Sequence, residues 1–199
     1  MPDTWHLTPS TEMSCLPAPI RILCLGNELL ADDAFGSAVA EELRRRFPQI
    51  DVVFTTDSGF HLLDYLAEIE RLLVVDSIQT GNASPGTLYV LRSSDMKSCF
   101  GPSPHYVGLF ETLQLAKELL LNVPKDVIIL AVEVADCLTL GGKMHDAVNS
   151  TVGLVVDLVG EIVQNWKPAE SHDEDSGEGL RQAIAVVSNR WGAERLVVI

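Results

Sequence analysis

Blocks of apolar residues alternate along this chain with polar, turn-forming stretches. Residues 20–25, IRILCL, form an apolar run that reads as a buried strand. After Gly36 the period changes to that of a helix, with Val39, Leu43 and Phe47 on one face and Glu41, Glu42, Arg44 and Arg45 largely away from it; Pro48 ends it. DVVFT at 51–55 reads as a second strand and Asp57-Ser58-Gly59 as a turn, and Phe60, Leu63 and either Leu66 or Ala67 set a helix over 60–70. RLLVV at 71–75 is a near-continuous apolar run, as a strand covered on both faces requires, and it ends at Asp76.

A turn-rich loop, Gly81 to Gly86, precedes a fourth strand at 87–91, and residues 93–104 read as irregular. His105 opens a helix whose apolar face is Leu109, Leu113, Ala116 and Leu120. VIILAV, within 126–133, is a fifth strand. Gly141-Gly142 punctuates the chain. Val148, Val152, Val155, Val159, Ile162 and Trp166 then mark one long helix, stopped by Pro168. This alternation predicts a three-layer α/β/α fold with a twisted, mainly parallel, five-stranded sheet. Residues 1–19 lack periodicity and are expected to be a flexible extension. Residues 20–167 form the domain. Residues 168–199 begin with an acidic linker, ESHDEDSGE, followed by a tail that could form a short helix and a strand-like LVVI, with no assigned role.

The length of 199 residues suits one domain with a real core. A net charge of −14 opposes binding to nucleic acid, which needs Lys and Arg against phosphates, and to an anionic membrane surface. Cys15, Cys24, Cys99 and Cys137 form no C-x-x-C pair, so neither a disulfide framework nor a zinc knuckle is indicated. Cys24, inside a strand, reads as a small core residue. No run is long enough to span a membrane, and the first 19 residues lack the basic and apolar regions of a secretory signal. The expected compartment is cytoplasmic and reducing.

Chemistry is expected just outside the carboxyl ends of the strands. Asp33 follows the first strand, Asp76 ends the third, and His105 starts the helix after the fourth. If the first and third strands are neighbours, Asp33 and Asp76 face one crevice. Two carboxylates and an imidazole suit a divalent first-row metal and leave coordination positions open. Ser103 can cap the helix and Pro104 fits its first position. The positive end of that helix dipole favours the neutral, ligating imidazole. Asp32 could instead be a helix cap, and a histidine at a helix start can be plain surface polarity. The spacing from Gly26 to Gly36 contains no G-x-G-x-x-G phosphate cradle, and no G-x-S-x-G serine nucleophile is present.

Four ordered segments resemble one known family. GNELLADDAFG resembles the G-N-x-x-x-x-D-(D/E)-x-x-G signature of the hydrogenase maturation endopeptidases, which trim the C-terminus of the large subunit of nickel–iron hydrogenases. DSGFHLLDYL, LLVVDSIQTGNASPGTLYVLR and SPHYVGLFETLQLAKEL follow in the family's order, covering about residues 20–166. The resemblance implies the same three-layer fold and metal-binding, catalytic positions at Asp33, Asp76 and His105. It also implies nickel supplied by the substrate, with the precursor of a hydrogenase large subunit as partner. Neither nucleic acid nor membrane is expected as a partner, and the chain is expected to be a monomer. Ser58 and Phe60 depart from the family's glycine and threonine in the second segment. That departure motivates a second reading, a module that binds a metalloprotein precursor without cutting it. A third, a flavodoxin-like nucleotide binder, lacks a phosphate loop.

Overall fold

The apolar run at residue 71 becomes the middle of the molecule. In a computed structural model, which describes residues 20–92, 106–166 and 176–198, β3 (Arg71–Ile78) is buried along its whole length. It lies between β1 (Ile20–Leu25) and β5 (Asp126–Glu133), parallel to both. Outside them come β2 (Asp51–Thr55), parallel to β1, and β4 (Leu88–Arg92), antiparallel to β5. With a short β6 (Leu196–Val198) beyond β4, the order is β2-β1-β3-β5-β4-β6.

Two apolar faces follow from the strand period of two. Ile22, Cys24, Leu73 and Val75 point to the layer built by α1 (Phe35–Arg46), α5 (Val152–Asn165) and α6 (Ser176–Trp191). Leu23, Leu25, Leu72 and Val74 point to the layer of α2 (Leu63–Leu66) and α3 (Tyr106–Glu118), meeting Leu62, Leu66, Leu109 and Leu113. Each such leucine contributes about 1.5–3 kcal/mol on burial. Cys24 is fully buried among these side chains, and burial pushes its thiol up to about 12.

The class is as expected, with four local differences. The sheet has six strands, not five: β6 (Leu196–Val198) pairs in parallel with β4 through Leu88–Leu196. It lies in the strand-like LVVI of the tail, and the open edge of β4 gives it hydrogen-bond partners. The segment that joins β6 to the body is held by Asp157 of α5. This buried carboxylate accepts from Arg46 Nη2 at 2.7 Å, Arg190 Nη1 at 2.8 Å and Trp191 Nε1 at 2.9 Å, tying α6 to α5 and α1.

The helix expected over 60–70 is a 3-10 turn, Gly59–Leu62, followed only by α2, because the chain must return to the start of β3 and does so through Glu68 at φ 61°. The long helix expected from 148 is divided into α4 (Asp146–Asn149) and α5. At the break the buried Thr151 hydroxyl makes a 2.9 Å bond to the Gly86 carbonyl, fastening the helix to the loop before β4. Finally, β3 does not end at Asp76 but continues to Ile78, so Asp76 stands inside the strand. Among the described residues no helix is long and apolar enough to cross a membrane.

Candidate active site

Two glycines bring the acidic loop back onto the strand it leaves. Gly26 has φ +145°, and a Cβ there would lie 2.2 Å from the carbonyl oxygen of Asp33. A Cβ on Gly36 would lie 1.9 Å from the carbonyl oxygen of Leu25. Only glycine permits both approaches. Between them, Asn27 N–H donates to the Asp33 carbonyl at 3.1 Å, and the Asn27 side chain accepts from Leu29 N–H at 3.0 Å. The result is a closed loop with Asp32 and Asp33 in a 3-10 turn ahead of α1.

The two adjacent acids do different work. Asp32 is buried and is not a helix cap; its carboxylate makes no capping bond at either helix start. It accepts instead from the backbone of the loop after β5: from Ala135 and Asp136 N–H at 2.9 Å each and from His145 N–H at 2.5 Å. The backbones of the two loops are also zipped together, Ala31 N–H to Thr139 at 3.0 Å and Asp32 N–H to Asp136 at 2.8 Å. Asp32 is thus a clamp between segments about a hundred residues apart. The outer surface of this pair carries Leu29, Leu138 and Leu140, 62%, 79% and 74% exposed.

Asp33 turns the other way, towards β3. Its Oδ1 accepts from the Ser77 hydroxyl at 2.6 Å. Asp76, fully buried, accepts at Oδ1 from the Ser77 N–H at 2.7 Å, and among the described residues its Oδ2 has no hydrogen-bond partner. Burial pushes the Asp76 carboxyl well above the usual carboxylate range. The Ser77 N–H opposes that shift, and the charge of Asp33 adds to it. A buried carboxylate oxygen without a donor costs stability, and a cation beside it would supply what is missing. Two carboxylates of this kind suit a divalent ion.

Of the three expected site residues, Asp33 and Asp76 are brought together and His105 lies outside the described residues, as do Ser103 and Pro104. Among the described residues no three His, Cys, Asp or Glu side chains form a metal-holding group. The spacing-based reading overlooked three contributors. Ser77 could have been noticed as a hydroxyl interrupting an apolar strand. The Asp32 clamp had no local signal, since its partners are distant. Glu133, buried at the end of β5, accepts from Thr80 N–H, Gly81 N–H and the Thr80 hydroxyl at 2.6–2.8 Å, fixing the loop that follows β3. At the end of β2, Asp57 accepts from the Tyr65 hydroxyl at 2.6 Å and the Thr55 hydroxyl at 3.0 Å; first the tyrosine and then the threonine hold its carboxyl below the usual range.

Residues 37–162 match a family model described as HycI, hydrogenase maturation protease. The chain is 31% identical over 153 residues to the hydrogenase expression/formation protein HupD of Bradyrhizobium diazoefficiens, covering 74% of this chain and 79% of that protein. Its fold is similar to that of the hydrogenase maturating endopeptidase HybD from Escherichia coli, with TM-score 0.58 and 21% identity over 87% of this chain and 94% of the other. It is also similar to the [NiFe] hydrogenase maturation protease HybD from Thermococcus kodakarensis, with TM-score 0.60 and 22% identity over 72% of this chain and 98% of that one.

Proposed function

Because this chain belongs to the hydrogenase maturation protease family, we propose that it is an endopeptidase that removes the C-terminal extension from the nickel-loaded precursor of a nickel–iron hydrogenase large subunit. The observation that carries the reading is the Asp33–Asp76 pair, one acid after β1 and the other within β3, with Asp76 Oδ2 buried and without a partner among the described residues. Such a pair is poised for a cation that is not part of the free protein. Nickel belongs to the substrate, held on the precursor's own cysteines, and serves as the recognition element. Asp33 and Asp76 would hold it, with His105 as third ligand. Bound there, the ion would offer Lewis acidity beside the scissile bond.

The chain's own residues supply the rest. Ser77 fixes the carboxylates, Asp32 and Glu133 hold the two loops that frame them, and an aspartate is available as general base towards water. The exposed Leu29, Leu138 and Leu140 suit contact with a polypeptide rather than a small solute. The reaction is assigned to the cytoplasm and needs one copy of the chain.

The test is a pair of incubations followed by mass spectrometry. Nickel-loaded precursor with chelator-washed protease should yield a shortened product, and nickel-free precursor with metal-soaked protease should not. Cleavage only in the second tube would make the protein an ordinary metalloprotease with its own ion. Tight binding in the first tube without any shortened product would make it a non-cleaving recognition module.

A further inference from the structure

Among the described residues, Ser77 touches both acids, through its hydroxyl and its backbone N–H. Neighbouring residues of a strand point to opposite faces. Within β3, therefore, Ser77 follows Val75 towards the α1 layer, while Asp76 follows Val74 towards the α3 layer. Asp33 arrives from the turn ahead of α1 and meets the Ser77 hydroxyl, while the backbone N–H of the same residue meets Asp76. One oxygen of each carboxylate is thereby referred to a single rigid point in the central strand. The hydroxyl bond, at 2.6 Å, lies in the range of short, charge-assisted O–H···O⁻ bonds.

Apolar packing of the strand does not account for that hydroxyl. Ser77 is buried in a strand whose other residues, Asp76 apart, are Leu72, Leu73, Val74, Val75 and Ile78 after Arg71. A β-branched apolar residue would suit such a position better. We propose that Ser77 is a positioning residue, which sets Asp33 and Asp76 in the one mutual arrangement that accepts a divalent metal. This rests on the reading that these acids meet the precursor's nickel. Partners that orient ligating carboxylates typically account for about 10–100-fold in metal affinity or activity.

The experiment is calorimetric titration of the full chain with Ni²⁺ alone, alongside thermal melting and the kinetics of precursor cleavage. The variants are Ser77→Ala, the isosteric pair Ser77→Thr and Ser77→Val, and Asp33→Asn. Ser77→Ala and Ser77→Val should weaken Ni²⁺ binding about 10–100-fold and raise KM for the nickel-loaded precursor, with only the small fall in melting temperature that the loss of one hydrogen bond brings, whereas Ser77→Thr should stay near the parent. If Ser77→Ala does not fold, the Thr–Val comparison decides. Parent-like Ni²⁺ binding in Ser77→Ala and Ser77→Val, with binding lost in Asp33→Asn, would overturn the role of Ser77 and leave the metal reading standing. Parent-like behaviour of Asp33→Asn would overturn the metal reading and Ser77's role with it. Failure of both Ala and Val variants to fold would make the hydroxyl structural and overturn the proposal.

Discussion

Gly26 is packed directly against the backbone of Asp33: the carbonyl oxygen of Asp33 occupies the space where a Cβ would stand, 2.2 Å from its ideal position. The acid at the candidate site is thus placed by a residue seven positions earlier that has no side chain. This contact closes the loop and directs Asp33 at Ser77.

Gly26→Ala should therefore displace the loop. The forced φ of +145° and the clash together are expected to cost at least about 1–3 kcal/mol. At this chain length that lowers the melting temperature by about 2–4 °C per kcal/mol. Precursor cleavage should fall far more than stability, because Asp33 moves with the loop. A melt and an activity assay on one preparation check both; full activity would show that the loop tolerates the shift.

Asp32→Ala should loosen the loop clamp. Three backbone N–H groups lose their acceptor, a combined cost of about 3 kcal/mol or more. Hydrogen exchange should accelerate at Ala135, Asp136 and His145 and remain slow in β3. Unchanged protection at those three amides would remove the clamp role.

Asp157 gives a pH-dependent prediction. Burial alone would raise its pKa, but the hydrogen bonds from Trp191, Arg190 and Arg46 outweigh burial and hold the carboxyl below its ordinary value. A depressed folded pKa means that the stabilisation is fully present above the unfolded value, about 3.9, and is lost as pH falls through the folded one. Asp157→Asn should melt below the parent at pH 7, with the gap closing below about pH 4. Limited proteolysis should then reach α6 first in the variant. A gap of constant size from pH 7 to pH 3 would show that the charge is not what matters.

Asp76 has the opposite sign. Its pKa is raised by burial and, beyond the opposing Ser77 N–H, by Asp33, so ionising it costs stability as pH rises past the unfolded value. Asp76→Asn should melt above the parent at pH 8, lose that advantage towards pH 4, and fail to cleave precursor. Such an exchange of stability for activity is expected where a site holds an uncompensated charge. A variant less stable than the parent at pH 8 would contradict this account.

Local pattern alone determined much of this protein. The apolar runs at 20–25, 71–75 and 126–133 are strands, short near-continuous runs covered by helices on both faces of the sheet. The spacing of Val39 and Leu43, and of Val155, Val159 and Ile162, fixed the faces of α1 and α5. The order of the strands was needed to relate Asp33 and Asp76: β1 and β3 are neighbours, and both acids meet Ser77. Tertiary structure decided what depends on partners distant in sequence. Whether Asp32 caps a helix or clamps a loop turned on Ala135, Asp136 and His145, more than a hundred residues away. Whether 196–198 is a strand turned on the free edge of β4. Whether β3 stops at Asp76 turned on the pairing of Asp76, Ser77 and Ile78 with Ala131, Val132 and Glu133 of β5. Periodicity records which face a residue presents to its own element; a hydrogen-bond partner across the fold leaves no mark on the local sequence, so only the assembled sheet reveals it.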